Sequence, residues 1–356
     1  MKIEPVSGDP LPFRATPFAN IAVIGAGSWG TALSATSARA GVQVRLWGRK
    51  STVINEINRD HTNSAYLSDV LLPESLLGVR NMKDALRDAE AAMIVVPSRS
   101  VRNIARQMKE YIRPGIPVAV CAKGIEDETG YLMSQIVEEE LPGHPVGVVS
   151  GPTFARETAL NHPTAATVAF PFGYRDRLKP EDSAAVRFAV SLTTESFRAH
   201  ISDDLIGVEI GGAVKNVVAI ACGMMTGAGF AENTRAALIT RGLDEMKALA
   251  EALGGRRETV TGLSGIGDLS LTCSSTTSRN MSLGIALGEG RTLQDVLAER
   301  TTVAEGVHTA DAALDLAHRH GVAMPITEAV AEIVSERLSV DEAIRALLNR
   351  PFTTED

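Results

Sequence analysis

The sequence has little cysteine and no excess of positive charge, and each shortage excludes a class of protein. Only three cysteines occur among the 356 residues, and Cys121, Cys222 and Cys273 are too widely spaced for a zinc ribbon or a disulfide framework. We therefore expect reduced thiols, a cytoplasmic protein and no metal site. The formal net charge of −8 gives no general attraction to nucleic acid or to an anionic membrane. A phosphate-bearing ligand would need a local site.

The sequence also lacks a secretory leader and an uninterrupted membrane-spanning run. Residues 1–18 contain acids and several prolines in place of a continuous apolar stretch, and we interpret them as a loose N-terminal extension. The most membrane-like window, residues 206–225, carries Glu209, Lys215 and Asn216 near its middle, where burial in lipid is costly. We therefore expect a buried helix and no stable membrane insertion.

The length of the chain exceeds the usual size of a single hydrophobic core, so two domains are expected. From residue 21 a strand, a glycine turn, an alanine-rich helix and a second strand form a βαβ unit, and further short apolar strands follow at 91–97, 117–124 and 144–152. Strands that alternate with helices predict a doubly wound, mostly parallel sheet covered on both faces. Beyond about residue 200 only helical runs are evident. We place an α/β nucleotide-binding domain at 19–200 and an all-helical domain at 201–356.

The segment "GAGSWG" directly follows the first predicted strand and directly precedes a helix, which is the context that a dinucleotide-binding turn requires. Gly25 permits the tight turn, Gly27 lets the backbone approach a pyrophosphate, and Gly30 lets the helix pack on the strand. The helix N-terminus would face the negative charge of the ligand. The alternative is a glycine-rich turn without a ligand.

The second strand ends in "WGRKS", where an NAD-selective protein usually carries an acidic residue for the ribose 2′-hydroxyl. Arg49 and Lys50 stand there in place of an acid. Two cations suit a 2′-phosphate, so we expect NADPH to be accepted. The alternative is a solvated surface pair.

A lysine interrupts the small and apolar segment "EIGGAVKNVVAIACG" at residues 209–223. On a helix, Lys215 would share its face with Gly211, Gly212, Ala219 and Cys222, none of which is long enough to cover its amine. One interpretation is a lysine whose ammonium reaches solvent while its stem packs on the core. The other is an amine held in a hollow for chemistry.

Further polar residues lie where strands are expected to end or helices to begin. The exits of parallel strands are where doubly wound sheets bind ligands, although each residue alone could belong to a turn or a helix cap. These residues are Lys123, Gly151, Thr153, Asp268, Thr272, Ser278, Arg279 and Asn280.

Eight segments in order, across residues 20 to about 350, give the chain a specific resemblance. They are "GAGSWGTAL", "AKGIE", "SGPTFARE", "IGGAVKNVVAIACG", "ALITRGLDEM", "GDLSLTC", "SRN" and "MPITEAV". The chain resembles the bacterial NAD(P)-dependent sn-glycerol-3-phosphate dehydrogenases. The resemblance implies an N-terminal Rossmann domain and a helical C-terminal domain, as in 6-phosphogluconate dehydrogenase-like folds. It also implies reversible reduction of dihydroxyacetone phosphate to sn-glycerol 3-phosphate with NADP(H) or NAD(H), in support of phospholipid synthesis.

The resemblance also implies roles for single residues. By similarity, Lys215 is the catalytic acid or base, with Asp268 and Lys123 beside it. The substrate would be surrounded by Lys123, Gly151, Thr153, Lys215, Asp268, Thr272, Ser278, Arg279 and Asn280. The cofactor site would be lined by Gly25, Gly27, Ser28, Trp29, Gly30, Arg49, Lys50, Tyr66, Lys123, Ala155, Arg279, Val303 and Glu305.

The physical role of Lys215 agrees with this resemblance. Hydride transfer to a ketone carbon leaves negative charge on the oxygen, so a proton donor in a dry site stabilises the transition state. Asp268 could orient the ammonium; a close carboxylate favours the charged amine and burial disfavours it. Ala122 departs from the family pattern, in which a threonine is common.

Two other functions are compatible with the motifs. One is another two-domain β-hydroxyacid-type dehydrogenase that acts on a carboxylate substrate. The other is a non-catalytic NAD(P)-binding sensor, which would have no need of a proton donor. The oligomeric state is left open, with a homodimer as a candidate.

Overall fold

The computed structural model describes residues 15–300 and 304–348 of the chain. Within them, eight strands form one sheet. The strands are β1 (Asn20–Ile24), β2 (Gln43–Trp47), β3 (Leu76–Val79), β4 (Ala91–Ile94), β5 (Val118–Val120), β6 (Val146–Ser150), β7 (Thr164–Ala169) and β8 (Phe197–Ser202).

Helices alternate with these strands up to Ser202 and make up all the regular structure that is described after it. The helices of the first part are α1 (Ser28–Arg39), α2 (Ser51–Asp60), α3 (Met82–Leu86), α4 (Val101–Met108), α5 (Met133–Glu140), α6 (Ala155–Ala159), α7 (Tyr174–Leu178) and α8 (Ala184–Leu192). Those of the second part are α9 (Leu205–Gly227), α10 (Glu232–Ala252), α11 (Arg257–Val260), α12 (Asp268–Ser274), α13 (Arg279–Gly288), α14 (Leu293–Ala298), α15 (Glu305–Arg319), α16 (Pro325–Val334) and α17 (Val340–Leu348). Short 3₁₀ turns at Ser98–Ser100 and Pro180–Asp182 and a π-helical turn at Leu263–Gly267 complete the set.

The strand order is β3-β2-β1-β4-β5-β6-β7-β8, and every neighbouring pair is parallel except β6 and β7. The predicted doubly wound sheet with a helical second part is therefore confirmed. Strand β1 pairs with β2 on one side and β4 on the other, so Ile24 lies between Trp47 and Ile94. The chain reverses its winding direction at β1, and ligands of such sheets bind outside the strand ends at this position.

Successive side chains of β1 point to opposite faces of the sheet, and each face has its own core. Ile21 and Val23 join the core that α1, α2 and α8 cover. Ala22 and Ile24 join the core that α3, α4 and α5 cover. Burial on both faces explains why these strands are apolar without alternation.

Helix α9 is the centre of the second part. Two further cores lie on its sides, one with α10 and α12 and the other with α16. Among the described helices it alone is long and apolar enough to cross a membrane, but 89% of its most apolar window is buried inside the protein. Its first turns reach the sheet, because Val208 belongs to the same core as Val120 and Val148. The apolar run is thus a core helix that joins the two parts of the chain.

Some element bounds differ from those expected from sequence. The sequence pattern predicts a helix over 128–140, but α5 begins only at Met133, because Gly130 adopts a positive φ of 74°. Strands β3, β7 and β8 were not predicted, and β8 ends at Ser202, slightly beyond residue 200. Phe18, expected in the loose extension, is 1% exposed and packs edge-on against Phe188 with ring centroids 5.0 Å apart. The rest of the expected extension before residue 15 lies outside the described residues.

Candidate active site

The amine of Lys215 lies inside the protein. Lys215 is 6% exposed, so the interpretation of a lysine that reaches solvent does not hold. The glycines on its face allow close packing around it: a Cβ on Gly211 would lie 2.9 Å from the carbonyl oxygen of Ser264, and one on Gly212 would lie 2.8 Å from the Ser150 hydroxyl. The two glycines let Ser264 and Ser150 pack directly on α9, and these residues enclose the space that the sequence predicts around the Lys215 amine.

Two groups from α12 accept hydrogen bonds from this amine. Lys215 Nζ donates to Asp268 Oδ1 at 2.7 Å and to Thr272 Oγ1 at 2.7 Å. Asp268 is the first residue of α12, and Thr272 follows one helical turn later on the same face. Both side chains are buried, which fixes the amine in one position.

A second amine reaches the same carboxylate from the other part of the chain. Lys123 follows β5 at the carboxyl edge of the sheet, and its Nζ donates to Asp268 Oδ2 at 2.5 Å and to the Gly151 carbonyl oxygen at 3.3 Å. The Lys123 side chain is 20% exposed, against 8% for Lys215. One buried carboxylate therefore bridges two lysines, one from the sheet and one from α9.

The electrostatics of this cluster follow from burial and from the shared carboxylate. Burial, opposed by Asp268, lowers the pKa of Lys215 to about 8, and the nearby Lys123 acts in the same direction as burial. Burial alone would raise the pKa of Asp268, but Lys123 and Lys215 together hold that pKa below its usual value. With both amines protonated the cluster carries one net positive charge, which suits a developing oxyanion.

The segment after β6 closes one side of this cluster. Gly151 has a φ of 155°, and a Cβ there would lie 2.9 Å from the Cα of Ala166. The Thr153 hydroxyl donates to the Gly151 carbonyl oxygen at 3.2 Å, the same oxygen that Lys123 contacts. Helix α6 then begins at Ala155 and packs against α1.

The start of α13 lies next to the cluster through an amide bridge. The Asn280 side chain donates to Asn216 Oδ1 at 2.8 Å and accepts from the Gly306 N–H at 3.0 Å, and Asn216 adjoins Lys215 in sequence. Ser278 caps α13 by accepting from the Met281 N–H. In the described part of the chain the exposed Arg279 guanidinium makes no hydrogen bond or ion pair.

The glycine turn after β1 has the geometry that a pyrophosphate requires. Gly25 has a φ of 129°, and a Cβ there would lie 2.2 Å from the Val95 carbonyl oxygen. A Cβ on Gly30 would lie 1.8 Å from the carbonyl oxygen of Gly25, so α1 packs directly on the turn. Nothing lies within 4 Å of the corresponding position at Gly27. The open side of the turn thus faces the N-terminus of α1 and fits a dinucleotide.

Some of the other predicted cofactor residues lie around this turn. Ser28 donates to the carbonyl oxygen of Tyr66 at 3.0 Å, and Lys50 Nζ lies 5.4 Å from the centre of the Tyr66 ring. Arg49 is exposed at the end of β2. Trp29 packs against the core that α1 shares. Val303 lies outside the described residues.

Two residues at this end of the sheet were missed by the sequence analysis. Asn63 is fully buried and donates to the carbonyl oxygen of Ala26 at 3.2 Å and to Thr31 Oγ1 at 2.8 Å, which ties the loop of Tyr66 to the glycine turn. The hydroxyl of Ser98 donates to Glu305 Oε2 at 2.5 Å, which brings Glu305 to the sheet. The dual contact of Lys123 and Arg279 with both ligands stays a prediction.

Comparison with known proteins places these features in one family. The model of the NAD-dependent glycerol-3-phosphate dehydrogenase N-terminus matches residues 20–172, and that of the C-terminus matches residues 204–345. The chain is 46% identical to glycerol-3-phosphate dehydrogenase [NAD(P)+] of Parvibaculum lavamentivorans, over 95% of this chain and 98% of the relative. It is 47% identical to the protein of the same name from Rhodospirillum rubrum, over 94% of each chain.

A solved structure agrees with these sequence relatives. The crystal structure of glycerol-3-phosphate dehydrogenase from Coxiella burnetii superposes with a TM-score of 0.85 at 38% sequence identity, and the match covers 93% of this chain and 99% of that one. The similarity therefore spans both the sheet and the helical part.

The exposed cations after β2 should discriminate between the two nicotinamide cofactors. Replacing both Arg49 and Lys50 by glutamine should weaken NADPH binding by about tenfold or more, because a charge-assisted hydrogen bond contributes about 1.5–3 kcal/mol. NADH binding should change by less than about twofold, since NADH has no 2′-phosphate. Fluorescence titration of each cofactor measures both constants. Arg59→Gln, at the other end of α2, is the matched control, and an equal loss for both cofactors would contradict the assignment.

Proposed function

The chain belongs to the NAD(P)-dependent glycerol-3-phosphate dehydrogenases, and we propose that Lys215 is the proton donor in the reaction of this family. The protein is an oxidoreductase that interconverts dihydroxyacetone phosphate and sn-glycerol 3-phosphate with NAD(H) or NADP(H). Family membership decides against the two alternatives, a dehydrogenase of carboxylate substrates and a sensor without catalysis. The observation that carries the proposal is the buried amine of Lys215, hydrogen-bonded to Asp268 and Thr272.

The proton step follows from the chemistry of ketone reduction. Bound NAD(P)H supplies the hydride. As negative charge develops on the substrate oxygen, Lys215 Nζ donates a proton to that oxygen, which becomes the secondary hydroxyl of the product. In the reverse direction the neutral amine accepts the same proton. A pKa of about 8 suits both directions near neutral pH, because either protonation state is accessible.

The groups around Lys215 orient its amine and balance its charge. Asp268 and Thr272 occupy two of the three hydrogen-bonding directions of the ammonium, which leaves one for the substrate oxygen. Lys123 supplies a second positive charge at the more exposed side of the cluster. In a site that excludes water, both charges stabilise an oxyanion more strongly than they would in solvent.

The start of α13 is the proposed site of the substrate phosphate. Ser278 satisfies the Met281 N–H, and the N–H groups of Arg279 and Asn280 stand at the open end of the helix, where the helix dipole favours an anion. The guanidinium of Arg279 can bind a phosphate through two parallel hydrogen bonds. Asn280 connects this end to Asn216, the neighbour of Lys215.

The cellular setting is inferred from the family. We propose that the enzyme acts in the cytoplasm and supplies glycerol phosphate for phospholipid synthesis. The buried state of α9 supports a protein without a membrane-spanning helix in the described residues. A homodimer is the assembly that we propose.

The pH dependence of turnover should report the titration of Lys215. Reduction requires the protonated amine, so kcat/KM for dihydroxyacetone phosphate should fall as the pH rises through about 8. Oxidation of sn-glycerol 3-phosphate requires the neutral amine, so its kcat/KM should rise through the same pH. Steady-state assays in both directions measure the profiles, with NADPH affinity as a control that stays flat. An inflection only near 10.5, the value of a solvated lysine, would refute the role of the buried amine.

The phosphate site can be tested by comparing substrates with and without the phosphate. Arg279→Lys should raise KM for dihydroxyacetone phosphate about tenfold or more, because a lysine makes no bidentate contact. The kcat/KM for dihydroxyacetone, which lacks the phosphate, should stay unchanged. Arg291→Lys, beyond the other end of α13, is the matched control. If both substrates lose activity equally in Arg279→Lys, the phosphate is bound elsewhere.

A further inference from the structure

A buried carboxylate outside the cluster of Lys215, Asp268 and Lys123 links the two parts of the chain. Glu209 lies on α9, is 7% exposed, and accepts hydrogen bonds from the Ser134 N–H at 2.8 Å and the Ser134 hydroxyl at 2.5 Å. Ser134 is in the first turn of α5, on the sheet side of the molecule. Glu209 thus caps the N-terminus of α5 from another helix.

Among the described residues, this carboxylate makes no ion pair. Within residues 15–300 and 304–348 no lysine, arginine or histidine forms an ion pair with Glu209. Burial raises the pKa of Glu209 to about 7, although the hydrogen bonds from Ser134 act to lower it. Burial of an uncompensated carboxylate is unfavourable. An apolar residue would leave the Ser134 N–H and hydroxyl without this acceptor, so the contact requires a polar side chain at position 209.

The position of Glu209 connects it to the catalytic cluster. A small cavity at the carboxyl ends of β5 and β6 is lined by Lys123, Ser150, Glu209 and Gly212, among others. Gly212 lies one helical turn before Lys215 on the same face of α9. Glu209 and Lys215 therefore lie on the same helix, α9. Lys123 faces that helix from the carboxyl edge of the sheet.

The hydrogen bond between Lys123 and Asp268 depends on how α9 and α12 sit against the sheet. Lys123 is fixed to β5, whereas Asp268 is held by Lys215 on α9. A catalytic constellation tolerates displacements of only about 0.5 Å. A polar contact that fixes α9 against α5 close to the cluster would limit such displacements.

We propose that Glu209 is a positioning residue for the reduction. By capping α5 from α9, it holds the helix of Lys215 in register with the strand end of Lys123, so that both amines stay on Asp268. The inference rests on the proposed role of Lys215 in reducing dihydroxyacetone phosphate.

A comparable contact inside the helical part provides a matched control. Glu245 on α10 is also buried and accepts from the N–H groups of Ile326 and Thr327 at the start of α16. Glu245 thus caps a neighbouring helix as Glu209 does, but Ile326 and Thr327 lie within the helical part. Its loss should lower stability without moving Lys123 relative to Asp268.

The test compares Glu209→Ala, Glu209→Gln, Ser134→Ala and Glu245→Ala well below their melting temperatures. Each preparation is normalised to NADPH-binding sites, so that unfolded protein does not count. Glu209→Ala should lower kcat roughly 10- to 100-fold, the scale of a displacement of about 1 Å, with NADPH affinity unchanged. Glu209→Gln should recover most of kcat, because its amide oxygen can accept from the Ser134 N–H while its NH2 group donates to the Ser134 hydroxyl, which can also act as an acceptor. Glu245→Ala should keep kcat within about twofold.

The double mutant gives a second readout. Glu209→Ala with Ser134→Ala should be no slower than Glu209→Ala alone, because both changes remove one contact. A kcat for Glu209→Ala within about twofold of the parent, or an equal loss in Glu245→Ala, would overturn the positioning role. If Glu209→Ala does not fold, Ser134→Ala decides: a fall in kcat of about threefold or more supports the inference, and a smaller change refutes it. If the parent itself does not reduce dihydroxyacetone phosphate, the proposed function fails instead.

Discussion

The candidate active site depends on one buried carboxylate shared by two amines. Asp268 accepts Lys215 on one oxygen and Lys123 on the other, and it does so in a place where an isolated charge would be strongly disfavoured. Each amine stabilises the ionised form of Asp268. Asp268 in turn favours the protonated form of Lys215, which burial disfavours. The site thus keeps a proton available on a buried amine. Removal of Asp268 would take away the carboxylate that pairs with the buried amine of Lys215.

The packing of the helical part buries the hydrogen bond between Lys215 and Asp268. Small residues on α9 let neighbouring segments approach closely, so that the long side chain of Lys215 is buried between them. The same helix begins on the sheet through Val208 and ends in the helical core. It therefore brings Lys215, the proposed proton donor, to the carboxyl edge of the sheet. The glycine turn after β1 lies at that edge, beside the point where the sheet reverses its winding.

Features that depend on a few neighbouring residues could be predicted from the sequence. Features that depend on contacts between distant segments of the chain could not. The glycine turn after β1 requires positive φ and close approach at Gly25 and Gly30, which a short motif encodes. The hollow around Lys215 could be inferred from helical spacing alone. The contact of Glu209 with Ser134 spans 75 residues of sequence, and no local pattern indicates such a pair. Strand β8 could not be predicted, because it lies at the edge of the sheet and its polar residues Arg198 and His200 interrupt the apolar pattern of a buried strand.

The site at α13 illustrates a further limit of sequence reasoning. The resemblance places Ser278, Arg279 and Asn280 among the substrate contacts, but the Asn280 side chain is already engaged at both ends, with Asn216 and Gly306. The proposed phosphate contact of Asn280 therefore depends on its backbone N–H, whereas its side chain joins α9, α13 and α15. A residue type indicates which bonds it can make, and only the fold determines which partners it meets.

The most direct test of the account is turnover of Lys215→Met with dihydroxyacetone phosphate and NADPH. Methionine preserves the apolar stem and removes only the amine. We expect unchanged NADPH affinity, since the glycine turn is a separate site, and a kcat lower by roughly two to four orders of magnitude, the usual contribution of a positioned general acid. A variant with kcat within about threefold of the parent, far inside that range, would contradict the central role of the buried amine.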